Sequence, residues 1–560
     1  MTKTKNTFLS GAIVLVMCSF ITKILGAIYK IPLLKTLQSD GLGRYQMVIS
    51  VYALFLVISS SGMVVTLSKI ISRESNYKNR HNQKKYLISA VIIALLLSTI
   101  SAVIMIIISP IIAKFRSFEE LYYSFLAISP ALIFSSLIAV FRGYLLGKKR
   151  MVLGGGIQVF EAVLKLLFSL YLSIKFASSS GFGPVFGAIL GITICELFSL
   201  ALLIVLVYIK SKKDKSRHIV SSVKSKTDLS KLSYLKLAKL SGQNGDNKSN
   251  INNLKSKSRY IGLKTGLIEI FKTSFFVTLQ ACVLPLISAI DSLIIVPLLI
   301  KAGINQSIAY SLFGLEDGVV SAIIAMPTIV ASGISSAIIP NIKAQNNNTE
   351  TIKNAIKIVW LTSIFCSAIF IFFSKDITYF LYGSGLISKT INELGISSDL
   401  LKISGFNIIY ISMLTLSTGI LQGLDRSKEP VKNLLIALTI RYIVLIGCLS
   451  NSQINIYGIA LSNMAFYAVA MLLNLSKLKN ISALDFKLDK LFLLPLLSLF
   501  VVILSMNLIK IVLSQILATK MTTLIIMFSG GLIYLLLLSF TKVFSYREVF
   551  SLKRQSAKNN

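Results

Sequence analysis

The sequence predicts an all-α polytopic membrane protein of fourteen transmembrane helices, arranged as two pseudo-symmetric six-helix lobes followed by two C-terminal helices. Three observations predict it. Apolar runs of about twenty residues, each long enough to cross a bilayer, recur along a 560-residue chain that is 54% hydrophobic, with a mean hydropathy of +0.77. Lysine and arginine crowd the loops and span flanks of one side over the other by roughly four to one, the bias that sets orientation. Finally, the two halves of the chain repeat one pattern of small residues.

The spans read as 8–34, 45–68, 86–112, 121–146, 152–174, 184–209, 266–300, 316–342, 354–374, 400–424, 431–449, 453–475, 491–513 and 521–541. The first is too long for a signal peptide and lacks a small-residue cleavage site, so it is kept as a span. Residues 1–210 then make a first lobe, 211–264 a basic cytoplasmic linker and 265–480 a second lobe, while 481–560 hold the last two spans and a tail. The charge bias places both termini in the cytoplasm.

The repeat is read from Arg142-Gly143-Tyr-Leu-Leu-Gly147, which ends span 4, and Thr418-Gly419-Ile-Leu-Gln-Gly423, which ends span 10. Upstream, Ser61-Gly62 in span 2 parallels Ser332-Gly333 in span 8. A Gly-x-x-x-Gly alone means close helix packing; the matching order and nearly equal intervals point to a duplicated unit. Six spans per unit keep both in the same sense, with the symmetry axis along the membrane normal. Pro32, Pro285, Pro297 and Pro327 mark expected bends in spans 1, 7 and 8.

A net charge of +36 in this distribution signals topology, and no nucleic-acid partner is expected. The linker should meet the anionic inner leaflet, with Leu229–Leu240 either a short amphipathic helix or a solvated basic stretch. Five cysteines (Cys18, Cys195, Cys282, Cys366, Cys448) fall in spans, which argues against a disulfide framework. His81 and His218 lie in separate loops, so no metal site or cofactor is expected.

Charged residues inside the spans carry the functional expectation. Lys23 and Lys30 stand two helical turns apart on one face of span 1, where each lysine costs roughly 2.5–3.5 kcal/mol in lipid. That face should line a wet, anion-seeking cavity. Arg44 opens span 2 and Arg142 ends span 4. They read either as interfacial anchors or as further rungs of a cationic ladder for a phosphate-bearing passenger. Glu161 and Lys165, at i and i+4, read as a pair that neutralises itself or, alternatively, as substrate contacts. Glu196 is a proton or cation site or a partner of Lys30. Asp291 and Arg441 could pair across helices of the second lobe.

At Ile21-Thr-Lys23-Ile-Leu-Gly26-Ala-Ile-Tyr-Lys30-Ile-Pro32, through Gly41-Leu-Gly-Arg44-Tyr-Gln-Met47 and Val51-Tyr-Ala-Leu-Phe55 to Ser61-Gly62, and again at Phe141-Arg142-Gly143-Tyr144, the chain resembles the stage V sporulation protein B group. That group lies among the polysaccharide and lipid-linked oligosaccharide transporters of the multidrug/oligosaccharidyl-lipid/polysaccharide flippase superfamily. The resemblance implies a V-shaped pair of lobes that alternate in access, and a passenger such as an undecaprenyl-pyrophosphate-linked peptidoglycan precursor. It implies a cationic cavity at Lys23, with Lys30 less firmly matched, and a lipid-tail groove at the last two spans. No family cation site maps onto spans 7, 11 and 12, where Arg441 stands.

The expected function is a monomeric flippase of the bacterial cytoplasmic membrane, exporting a lipid-linked glycan unit for cell-wall or spore-cortex biosynthesis. The alternative is a cation-coupled multidrug antiporter of the same superfamily. It would need an unpaired acid facing an apolar cavity, with Glu196 or Asp291 as candidates. A membrane enzyme is disfavoured, because the longest outer loop, 375–399, offers Asp376, Glu393 and Asp399 but no histidine.

Overall fold

A computed structural model describes residues 2–76, 80–116, 119–177, 182–209, 262–344, 349–383, 392–424, 426–449, 456–482, 493–541 and 543. Among them there is no strand. Most of the 211–264 linker, including the Leu229–Leu240 stretch, and the tail after 543 lie outside the described residues.

The first element, α1 (Thr2–Asn76), is a 75-residue helical run broken at Gln38, where φ is 58° and ψ is 177°. The break is a sharp bend. The Tyr29 and Tyr45 hydroxyls lie 3.4 Å apart, whereas sixteen residues of straight helix would separate their backbones by about 24 Å. The loop expected at 35–44 is therefore an elbow between two helical arms.

The rest of the first lobe comprises α2 (Arg80–Arg116), α3 (Glu119–Gly147), α4 (Met151–Ala177) and α5 (Pro184–Ile209). The second lobe opens with α6 (Leu263–Lys301) and α7 (Gln306–Phe313), followed by a π-helical turn at Gly314–Val320 and α8 (Ser321–Ala344). It continues through α9 (Thr349–Phe372), α10 (Ser374–Tyr382), α11 (Glu393–Ser404), α12 (Asn407–Gly423), α13 (Lys428–Leu449) and α14 (Tyr457–Ser482), and α15 (Leu494–Leu513) and α16 (Thr519–Phe540) end the described chain.

Among the described residues, twelve helices are long and apolar enough to cross a membrane, or thirteen if α11 and α12, bent by 45°, are counted as one span. The reading of fourteen differs because the first of them, Met17–Ser75, is one 59-residue run folded at Gln38. The span expected at 316–342 runs instead over Gln306–Ser336, so two carboxylates placed at its mouth are drawn into the helix. Pro285 and Pro297 lie within the unbroken α6. The chain breaks helical regularity at Gln38, at the π turn and between α11 and α12.

The internal repeat is visible in packing. A Cβ at Gly143 would lie 2.9 Å from the Val64 carbonyl oxygen and one at Gly147 2.8 Å from that of Ser68, so α3 lies directly on the second arm of α1. In the other half, Gly419 of α12 abuts Ser335 of α8 in the corresponding place. Small residues let backbones approach to this range. The α15–α16 pair docks on the second lobe. Tyr534 stacks on Phe365 with ring centroids 4.7 Å apart and donates to the Leu361 carbonyl, while Lys510 pairs with Asp376 at 2.5 Å. Its outer face, with Phe500, Leu508, Phe528 and Leu536 exposed, suits lipid.

Candidate functional site: a cleft between the lobes

Two cavities lie between the first arm of α1 and α8. One, of about 320 Å³, is lined by Lys23, Gly26, Ala27 and Lys30 facing Ser321, Ala325 and Thr328. The other, of about 420 Å³, is lined by Ser19, Phe20 and Lys23 facing Val330, Ser332 and Ser336. Lys23 is a corner of both. Seven-residue spacing does bring Lys23 and Lys30 to one cavity wall, and small residues at 26 and 27 leave room between them.

The two lysines are held differently. Lys23 is exposed and its Nζ donates to Ser332 Oγ at 3.4 Å; among the described residues it makes no ion pair. Lys30 is half-buried, and its Nζ donates to the main-chain oxygen of Asp317 at 3.3 Å.

Beyond Lys30, the lobes close at the elbow end of the bundle. Gln46 Nε2 donates to the Asp317 carbonyl at 2.9 Å and to its Oδ2 at 2.8 Å. Ser39 donates to Glu393. The backbones meet at glycines: a Cβ on Gly43 would stand 2.8 Å from the Tyr310 carbonyl carbon, and one on Gly314 2.7 Å from the Gly43 nitrogen. Nothing larger than hydrogen fits this seam. At the opposite end, α6 crosses to the first lobe, where Arg73 pairs with Glu269 at 2.9 Å and Gly62 abuts Ser274 and Thr278.

The other intramembrane charges lie off the cavity. Arg44 is held by Asp40 at 3.0 Å and by Glu120 at 2.5 Å. Arg142 faces Glu161 at 3.9 Å. The geometry thus gives Glu161 to Arg142 rather than to Lys165, which makes no ion pair among the described residues. Glu196 lies beside Glu161, Lys165, Arg142 and Ser135, away from Lys30. The first lobe therefore sets two cations, Arg142 and Lys165, against two carboxylates.

Asp291 and Arg441 do pair. Arg441 Nη1 and Nη2 donate to the two Asp291 oxygens at 2.7 and 2.5 Å, Nε donates to Asn463 at 3.0 Å, and the arginine is 1% exposed. Removing one partner of such a pair strands a buried charge, at about 3–5 kcal/mol, while replacing both by apolar residues is often tolerated. We therefore expect Asp291→Asn to lower the unfolding temperature markedly, and the double variant Asp291→Leu, Arg441→Leu to recover most of that loss. Thermal denaturation in detergent measures both.

The sequence reading missed Glu316 and Asp317. Both sit in the π turn, and Glu316 is 6% exposed. Adjacent carboxylates at the start of an apolar run look interfacial. The overlooked signal is Gln306–Phe313, an eight-residue helix with Asn305 as its cap, which moves the helix start ten residues upstream.

The family model described as "Polysaccharide biosynthesis protein" matches residues 8–234, the stretch that contains α1 to α5 and Lys23. Over those residues the chain is similar to the polysaccharide biosynthesis proteins. The chain is 21% identical over 493 residues to Stage V sporulation protein B of Bacillus subtilis (strain 168), covering 87% of this chain and 86% of that protein. It is 22% identical over 502 residues to Lipid II flippase MurJ of the same organism, covering 86% and 84%. In fold it is similar to a structure of Lipid II flippase MurJ in an inward closed conformation, with a TM-score of 0.64 at 14% identity, covering 96% of this chain and all of that one. An inward-facing multidrug resistance MATE family transporter of the MOP superfamily follows at TM-score 0.55 and 15% identity, covering 84% and 99%. The resemblance read from span 1 and the end of span 4 thus extends along most of the chain. The fold is similar to those of the MurJ and MATE structures, so the fold alone does not choose between a lipid-linked and a drug passenger.

Proposed function

We propose that this protein is a flippase for a lipid-linked glycan bearing a pyrophosphate, of the undecaprenyl-pyrophosphate peptidoglycan-precursor or polysaccharide-unit class, in the bacterial cytoplasmic membrane. One observation carries the reading: Lys23, a cation with no carboxylate partner among the described residues, stands at the meeting point of two interlobe cavities. A cleft-facing ammonium that the protein does not neutralise selects an anion and repels cationic drugs. Similarity to a lipid II flippase over most of the chain and the match of residues 8–234 to the polysaccharide biosynthesis model support the class of passenger.

In this reading the pyrophosphate enters from the cytoplasm between α1 and α8 and is bound by Lys23 and Lys30, while its polyprenyl tail stays in lipid. Rocking of the lobes opens the elbow end, which faces outside, and the head group leaves there. An inside-negative potential favours the outward step by about 2.3 kcal/mol per uncompensated charge per 100 mV.

The test is reconstitution into vesicles with a fluorescent polyprenyl-pyrophosphate glycan, followed by complementation of a flippase-depleted bacterium. Protein-dependent flipping of that lipid, and none of its uncharged alcohol analogue, is the expected result. Transport of a cationic drug with no movement of the pyrophosphate lipid would replace this reading with the antiporter.

A further inference from the structure

The charges around the π turn do not balance. Glu316 and Asp317 come from the turn itself and Asp291 from α6, while the cations are Lys30 from the first arm of α1 and Arg441 from α13. Arg441 is fully committed, with both terminal nitrogens on Asp291 and Nε on Asn463. Asp317 has Gln46 and, through its main chain, Lys30. Glu316 is left over. It is 6% exposed, it faces Asn463 of α14, and its Oε2 has no hydrogen-bond partner among the described residues.

Among the described residues, the neighbouring elements supply no further cation. From α13 and α14 come the phenols Tyr442 and Tyr467. From α11 comes another buried carboxylate, Glu393, which accepts from Ser39. Lys165 of α4 lies beyond Lys30, where it answers the carboxylates of the first lobe. Asn463 hydrogen-bonds the Glu316 side chain, but no uncommitted cation answers its charge, and burial without a paired cation favours the neutral acid.

We propose that Glu316 is a proton-binding site, and that its proton holds the elbow seam shut. The link is mechanical. The π turn that carries Glu316 also carries Gly314, whose backbone presses on Gly43, and Asp317, whose carbonyl takes Lys30 and Gln46. A π turn is an irregular, adjustable stretch of helix that is common at functional sites. With Glu316 neutral, three carboxylates and two cations leave one net charge fewer in the closed core. When Glu316 gives up its proton, the excess negative charge is relieved by parting the seam and admitting water. Low pH therefore favours the closed elbow end and high pH the open one. If that end faces outside, as proposed above, an external proton would return the empty carrier inward, giving exchange of a proton for the exported anion. The proton site itself needs neither that orientation nor any particular passenger.

The test uses the full-length protein in lipid nanodiscs without substrate. Spin labels at Lys35→Cys and Ser307→Cys, in a background with the five native cysteines replaced, report the width across the seam. In the parent protein the distance distribution is expected to lengthen as pH rises. Glu316→Gln, a permanent mimic of the neutral acid, should hold the short distance at all pH values. Infrared difference spectra should show the carbonyl band of a buried protonated carboxyl that disappears in Glu316→Gln, shifts in Glu316→Asp and survives in Glu196→Gln. The proposal is overturned if Glu316→Gln opens with pH as the parent does, or if the band is lost in Glu196→Gln and retained in Glu316→Gln. Should Glu316→Gln fold poorly, the Glu316→Asp band decides: an unchanged frequency overturns the assignment.

Discussion

The Lys23→Ala, Lys30→Ala variant is expected to lose flipping of a pyrophosphate lipid by about a hundredfold or more, since each charge-assisted hydrogen bond to phosphate contributes about 1.5–3 kcal/mol. Folding should be little affected: Lys23 gives up one long bond to Ser332, and Lys30 one bond to a main-chain oxygen. The single variants should differ. Lys23→Ala removes the unneutralised cation at the junction of both cavities and should weaken binding most. Lys30→Ala also removes a bond across the elbow seam, so it should weaken binding while favouring the open elbow end. Lys23→Arg, which keeps the charge, should retain most of the transport. Initial flipping rates in vesicles, with the yield of monodisperse protein as the folding control, measure all four. Undiminished flipping by the double variant would exclude the assignment of both lysines to the passenger.

Gly314→Val is expected to abolish transport by a different route. A side chain at this position has no space, because the Gly43 nitrogen already lies 2.7 Å from an added Cβ and that neighbour is backbone, unable to swing aside. Forcing atoms into a packed site costs typically 1–3 kcal/mol, and here parting of the lobes relieves the strain. The variant should fold, bind the pyrophosphate lipid and remain open at the elbow end. Ala27→Cys, buried in the parent and lining the smaller cavity, should then react with a membrane-impermeant maleimide added outside intact cells, and it should be shielded without the valine. Gly156→Ala, where an added Cβ meets nothing within 4 Å, is the harmless control. A Gly314→Val protein that transports normally would show that the seam need not close.

Much of this arrangement was legible before any coordinates. Apolar runs and charge bias gave the helical membrane class, and the Lys23–Lys30 spacing put both lysines on one wall. The glycines 143 and 419 revealed a duplication that the packing of α3 on α1 and of α12 on α8 repeats. The opposite lobe's contribution was hidden. Glu316 and Asp317 open the span expected at 316–342 and are not singled out by the sequence, because Gln306–Phe313, mixed in polarity, does not extend the apolar run upstream. The 35–44 segment, with Lys35, Gln38, Ser39 and Asp40, reads as a loop, since polarity does not distinguish a loop from a helical elbow. Partners for Arg44 and Arg142 were equally hidden. Glu120 and Glu161 are distant in sequence, and only the packed lobe shows which carboxylate each arginine meets.

The sharp bend at Gln38 has a mechanical corollary. Because one residue makes the turn, the limb bearing Lys23 and Lys30 and the limb bearing Gly43 and Gln46 have no slack between them. They pivot together as a bent lever, so cargo that tugs at one limb must displace the other. Lengthening the bend with a few flexible residues would uncouple the two motions while leaving every contacting side chain in place.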